Sequence, residues 1–147
     1  MCVPTVDEPS SGELGAGGRR VGCHRHVGRP GRKGTWAIEQ CRGQRLIAPS
    51  LLSYEVANVL RRQLRAGVIG AERAQAAHRA AVELRVELWP YRAVAERVWA
   101  LRDTLTSYDA SYCVVAELAG VPLITLDPRL TKAPGPFCEI RVFRGEA

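Results

Sequence analysis

The sequence predicts an α/β domain with a mostly parallel sheet covered by helices, and three observations predict it. Segments of helical period alternate with short apolar, β-rich segments, the pattern that forces parallel crossovers. Hydrophobic residues make up 46% and charged residues 24% of the chain, a balance that supports a buried core and excludes fibrous or wholly disordered classes. The length of 147 residues accommodates one such core and is short for two.

The elements follow in chain order. Residues 36–42 read as a short helix stopped by Gly43, and Leu46, Ile47 and Ala48 before Pro49 as a short strand. Leu52, Val56, Val59, Leu60 and Leu64 fall on one helical face, so 51–65 is an amphipathic helix ending near Gly67, with Ser50 as its N-cap. An alanine-rich helix over 71–84 and a strand over 86–89 precede Pro90. Helices are expected over 94–105 and 109–119, the second closed by Gly120. Strands over 121–126 and 138–143 complete the reading.

Residues 1–34 are different: they hold eight of the 14 glycines and three of the nine prolines and show no core-forming period. This Gly/Arg-rich segment is expected to be poorly ordered, with the folded domain occupying 35–147. The five cysteines are irregularly spaced with no C-x-x-C pair, which predicts free thiols in a reducing, cytoplasmic setting. Cys23, His24, Arg25 and His26 lack the paired spacing of a zinc module. No uncharged run exceeds nine residues, so no membrane partner is expected, and nothing in the first thirty residues reads as a secretory signal. The net charge is +6, carried by 19 arginines and two lysines. Guanidinium suits phosphate, so nucleic acid is a plausible partner, although a coding bias toward arginine explains the composition equally well.

The chemistry lies in the acids. Asp109 shares a helical face with Tyr112, Cys113 and Ala116, which places a carboxylate on a packed face at a helix N-terminus. Asp127 ends the apolar run Val121 to Leu126, and the carboxyl ends of parallel strands are where ligands bind. Glu55 lies at the edge of its helix's apolar stripe, on a flank with Asn58 and Arg62. Taken singly, each has an ordinary reading. Thr106-x-x-Asp109 is a capping box, Asp127 before Pro128 is a cap or turn residue, and Glu55 is an acid in an early helical turn. Taken together, three carboxylates at one sheet edge repel unless a cation joins them. Hard oxygen ligands select Mg²⁺ or Mn²⁺, which activates water for phosphodiester hydrolysis.

Three segments carry a family resemblance: LIAPSLLSYEVANVLRR around Glu55, LTSYDASYCVVAE around Asp109, and VPLITLDPRL around Asp127. Together they resemble PIN-domain ribonucleases, and more narrowly the VapC toxins of bacterial type II toxin–antitoxin systems, over about 35–143. The tail from Ala133 to Ile140 is similar to that subgroup as well. The resemblance implies a PIN-like three-layer fold, Mg²⁺- or Mn²⁺-dependent endoribonuclease activity on structured RNA, a VapB-like antitoxin as partner, and a possible homodimer. By position it assigns Glu55, Asp109 and Asp127 as metal ligands and catalytic acids, and Thr106 as a hydroxyl that orients a carboxylate or water. Arg61, Arg62 and Arg65 are candidate RNA contacts by charge, though a solvated helix face is the simpler reading.

The family pattern opens with a short apolar strand ending in the first metal-binding Asp, and residues 1–34 show no such strand. Asp7 follows Val6 but is flanked by Pro4 and Pro9, making it a weak stand-in. A shifted reading frame over this segment accounts for the abrupt change in composition; the idea fails if neither other frame of the upstream DNA encodes an apolar strand ending in Asp. Loss of the first acid defines the alternative to an active nuclease: a catalytically impaired PIN-like remnant that binds RNA or antitoxin without cleaving. A receiver-like signalling domain also gathers aspartates around Mg²⁺, but neither Lys33 nor Lys132 directly follows an apolar strand as such a domain requires.

Overall fold

The computed structural model describes residues 31–144. Asp7 and the Cys23–His26 cluster lie outside these residues, as does most of the 1–34 segment expected to be poorly ordered.

Helix α1 (Arg32–Cys41) leads through a turn at Gly43, whose φ of 69° suits glycine, into strand β1 (Leu46–Pro49). The helix starts four residues before the expected 36, because Gly34 is buried within it and Gly31 serves as its N-cap. Helix α2 (Leu51–Arg65) has the bounds its periodicity predicts. Its N-terminus corrects one expectation: the Ser50 side chain makes no capping bond, and its backbone N–H donates instead to Trp89 O at 2.8 Å. Its C-terminus closes with Gly67 N–H on Leu64 O (3.0 Å) and Val68 N–H on Gln63 O (2.9 Å), with Gly67 at φ 68°, the paired bonds of a Schellman ending. Helix α3 (Ala71–Glu83) packs back on α2 through Leu60, Ile69 and Ala74.

Strand β2 (Val86–Trp89) lies parallel to β1, pairing Leu46 with Val86 through Pro49 with Trp89. The helix expected over 94–105 is shorter: a 3₁₀ turn (Tyr91–Ala93) precedes α4 (Ala95–Ala100), and turns complete the segment. The cause is a switch to three-residue hydrogen bonds. Leu101, Arg102 and Thr104 donate to the carbonyls of Val98, Trp99 and Leu101, and the Thr104 hydroxyl also bonds Leu101 O at 3.1 Å.

Helix α5 (Ser107–Ala119) is the centre of the core. Ala110 through Ala116 are all buried, as its nearly uniform apolar sequence predicts, and α5 contacts β1, β3 and α4. Gly120 at φ 64° ends it and turns the chain into β3 (Leu123–Thr125), which runs parallel to β4 (Ile140–Val142). Both strands are shorter than the expected 121–126 and 138–143. Val121 N–H is spent on the end of α5, and a second 3₁₀ turn (Pro128–Lys132) follows Asp127. The described strands therefore form two parallel pairs, β1–β2 and β3–β4, with α5 packed on one strand of each. The α/β class and the parallel pairing are as predicted. Among the described residues, no helix is long and apolar enough to cross a membrane.

Candidate active site

Three elements bring the three acids to the lining of one cleft. Glu55 sits in the second turn of α2, which leaves the end of β1; Asp109 sits in the first turn of α5; and Asp127 follows the end of β3. All three line a single open cleft of about 820 Å³, together with Tyr54, Asn58, Arg62, Tyr108, Tyr112 and Arg129. The flank predicted for Glu55, shared with Asn58 and Arg62, is the flank that faces this cleft.

Each carboxylate is held differently. Tyr112, three residues after Asp109 and 2% exposed, donates its hydroxyl to Glu55 Oε2. That bond joins α5 to α2, and both of its residues line the cleft. Asp109 Oδ2 accepts from Thr106 Oγ1 at 2.9 Å, while Thr106 Oγ1 accepts from the Asp109 backbone N–H at 3.1 Å. The N-cap and the hydroxyl that steadies a carboxylate are thus the same residue. Thr106 itself is not among the residues lining the cleft.

Asp127 caps the following turn, its Oδ1 accepting from Arg129 N–H at 2.9 Å, and its own N–H donates to the buried Thr125 Oγ1 at 3.0 Å. Its carboxylate also accepts from the Arg129 guanidinium, with Nε 3.0 Å from each oxygen. Arg129 beside it holds the Asp127 carboxyl below the usual carboxylate range, against the opposing effect of partial burial, and the Arg129 backbone N–H adds to the lowering.

Of the arginines proposed for RNA, Arg62 lines the cleft, while Arg61 and Arg65 are exposed on α2 outside its lining. Four cleft residues were missed in the sequence reading: Tyr112 as the partner of Glu55, Arg129 as the partner of Asp127, and the tyrosines Tyr54 and Tyr108, each next to an acid and both exposed. The signal for Arg129 was available, since an arginine two residues after a capping Asp can reach back to its carboxylate.

The cleft offers carboxylate oxygens and no histidine or cysteine among its lining residues, a donor set that fits a hard divalent cation in its chemistry. Among the described residues, no three His, Cys, Asp or Glu are gathered closely enough to hold a metal ion. The three acids share the cleft while each is engaged by a donor of the protein. Of the described cysteines, Cys113 is a buried and Cys138 a half-buried free thiol. Burial pushes Cys113 up to about 12 and Cys138 to about 11, with nearby negative groups adding to both.

Comparison with known proteins identifies the class. The PIN domain pattern matches residues 28–136, and the chain belongs to the PIN-domain family. Its relatives place it with the VapC proteins of that family. It is 42% identical over 98 residues to Ribonuclease VapC1 of Mycobacterium tuberculosis, covering 66% of this chain and 74% of the relative. It is 35% identical over 99 residues to VapC ribonuclease Mb0985 of Mycobacterium bovis, covering 67% and 78%. With Ribonuclease VapC12 of Mycobacterium tuberculosis the identity is 31% over 109 residues, covering 74% and 84%.

Proposed function

We propose that the chain is a VapC-type endoribonuclease toxin that hydrolyses RNA phosphodiesters with Mg²⁺ or Mn²⁺ and is neutralised by a VapB-like antitoxin in the cytoplasm. The observation that carries this reading is that Glu55, Asp109 and Asp127, from three separate elements, line one cleft of a PIN-domain chain. The names of its relatives support a ribonuclease. Homodimer formation is proposed from the family resemblance alone.

In this reading Glu55, Asp109 and Asp127 would hold the cation, which when bound would supply Lewis acidity at the phosphodiester and lower the pKa of a water. The chain's own residues do the rest. Tyr112 orients Glu55, Thr106 orients Asp109 through the hydroxyl bond, and the buried Thr125 fixes the backbone of Asp127. Arg62 on the cleft wall meets the RNA backbone as a positive charge.

Cleavage of a structured RNA by the purified protein, with Mg²⁺ and after chelation, tests the proposal. The expected result is cleavage that stops on chelation and falls by more than about a hundredfold in Asp109→Asn, beyond the effect of losing a ligand's supporting partner. RNA binding without cleavage at any Mg²⁺ or Mn²⁺ concentration supports the impaired remnant instead.

A further inference from the structure

Among the described residues, Asp127 is the candidate ligand that a cation of the chain already occupies. Its Oδ1 accepts from the Arg129 backbone N–H and from Nε, and its Oδ2 accepts from Nε and from a terminal guanidinium nitrogen. An ionised carboxylate offers about four lone-pair directions, and three N–H groups of this one residue crowd them, the single Nε–H being shared between the two oxygens. A divalent cation that reaches the oxygens of Asp127 competes with the guanidinium for them.

The structure makes departure of the guanidinium easy. The Arg129 side chain is 83% exposed, and exposed ion pairs are weak and screened by salt. Only the side chain has to move, because the backbone N–H of Arg129 can keep its bond to Oδ1. Arg129 also lines the same cleft as Glu55 and Asp109, so a displaced guanidinium stays tethered beside the place where a phosphate would lie. Guanidinium pairs in the same forked manner with carboxylate and with phosphate.

We propose that Arg129 is a displaceable counter-ion that occupies Asp127 before a divalent cation binds and passes to an RNA phosphate when one does. The proposal rests on the metal-dependent reading of the site and adds a coupling to it. RNA that captures Arg129 frees Asp127, so RNA and cation each strengthen the binding of the other, and linkage makes the factor equal in both directions. Arg129 thereby becomes an RNA-contacting residue, and the site resists loading with metal in the absence of substrate.

Calorimetric titration with Mn²⁺ alone tests this, using wild type, Arg129→Ala, Arg129→Lys and Asp109→Asn at equal ionic strength. The expected result is a Kd for Arg129→Ala lower than wild type by at least about twofold, the scale of one exposed ion pair, with Arg129→Lys between them. A single-stranded oligodeoxyribonucleotide, which supplies phosphates, is expected to tighten Mn²⁺ binding by wild type and to lose that effect in Arg129→Ala. Equal affinities in wild type and Arg129→Ala, with binding lost in Asp109→Asn, overturn the role of Arg129 and leave the acidic site standing. Absence of Mn²⁺ binding in every variant overturns the site and the inference together.

Discussion

Two arginine–carboxylate pairs in this fold use the same chemistry for different ends. Arg97 on α4 bonds Glu117 of α5 through Nε at 2.9 Å and a terminal nitrogen at 3.3 Å, and that nitrogen also donates to Gly135 O at 2.6 Å. Its guanidinium lies 5.1 Å from the centre of the Phe137 ring, and Phe137 N–H donates to Glu117 Oε2 at 3.2 Å. The Glu117 carboxylate beside it raises the affinity of Arg97 for its proton. Arg129 and Asp127, by contrast, are two residues apart, and the Arg129 side chain is 83% exposed where that of Arg97 is 29% exposed. The first pair joins three distant segments and fixes the tail that leads into β4. The second joins nothing distant and can open without disturbing the fold. Sequence separation and exposure, rather than bond geometry, separate a structural clasp from a displaceable one.

The largest effect that sharpens this contrast is on stability. Arg97→Ala is expected to lower stability by about 2 kcal/mol, since it leaves Glu117 and the Gly135 carbonyl without their charged donor. Arg129→Ala is expected to leave the melting temperature unchanged. Thermal denaturation of both variants checks the pair, and equal losses would break the distinction. The clasp also depends on Gly135, whose φ is +107° and whose added Cβ would lie 2.7 Å from Leu101 Cδ2. Gly135→Ala is therefore expected to cost about 1–3 kcal/mol in the same measurement.

On the cleft side, Tyr112→Phe removes the donor to Glu55. Cleavage is expected to fall about tenfold, the usual cost of removing a ligand's supporting hydrogen bond, with circular dichroism unchanged. The smallest effect is on titration. The pairing of Asp127 with Arg129 is complete above the usual aspartate range and is lost as the pH falls through the depressed value, because the folded protein holds this carboxyl low. Carbon-detected NMR is expected to show the Asp127 midpoint rising toward the ordinary range in Arg129→Ala.

How much of this was legible in the sequence depended on how local each cause is. The α2 bounds and the β2 bounds could be read directly, because a 3.6-residue apolar stripe ending at Gly67 and a β-rich run before Pro90 carry their own signals. The burial of α5 was legible from its lack of a polar face. The 94–105 helix was misread because Leu101 is buried where the segment tightens into turns, which a periodic pattern does not reveal. Asp109 and Asp127 stand out by their places at a helix start and a strand end, and Glu55 by its place at the edge of an apolar stripe, which is why the cleft they line could be expected from the sequence. The Tyr112–Glu55 bond was invisible, spanning 57 residues and arising only when α2 and α5 pack.

The claim on which the functional account rests is that Glu55, Asp109 and Asp127 together bind a divalent cation. Calorimetric titration of wild type and Asp109→Asn with Mg²⁺ at equal ionic strength tests it most directly, since the comparison removes non-specific screening. The account predicts millimolar or tighter binding by wild type that is lost in the variant. Identical titrations of the two proteins would contradict it, leaving a PIN-domain chain whose three acids only cap, pair and pack.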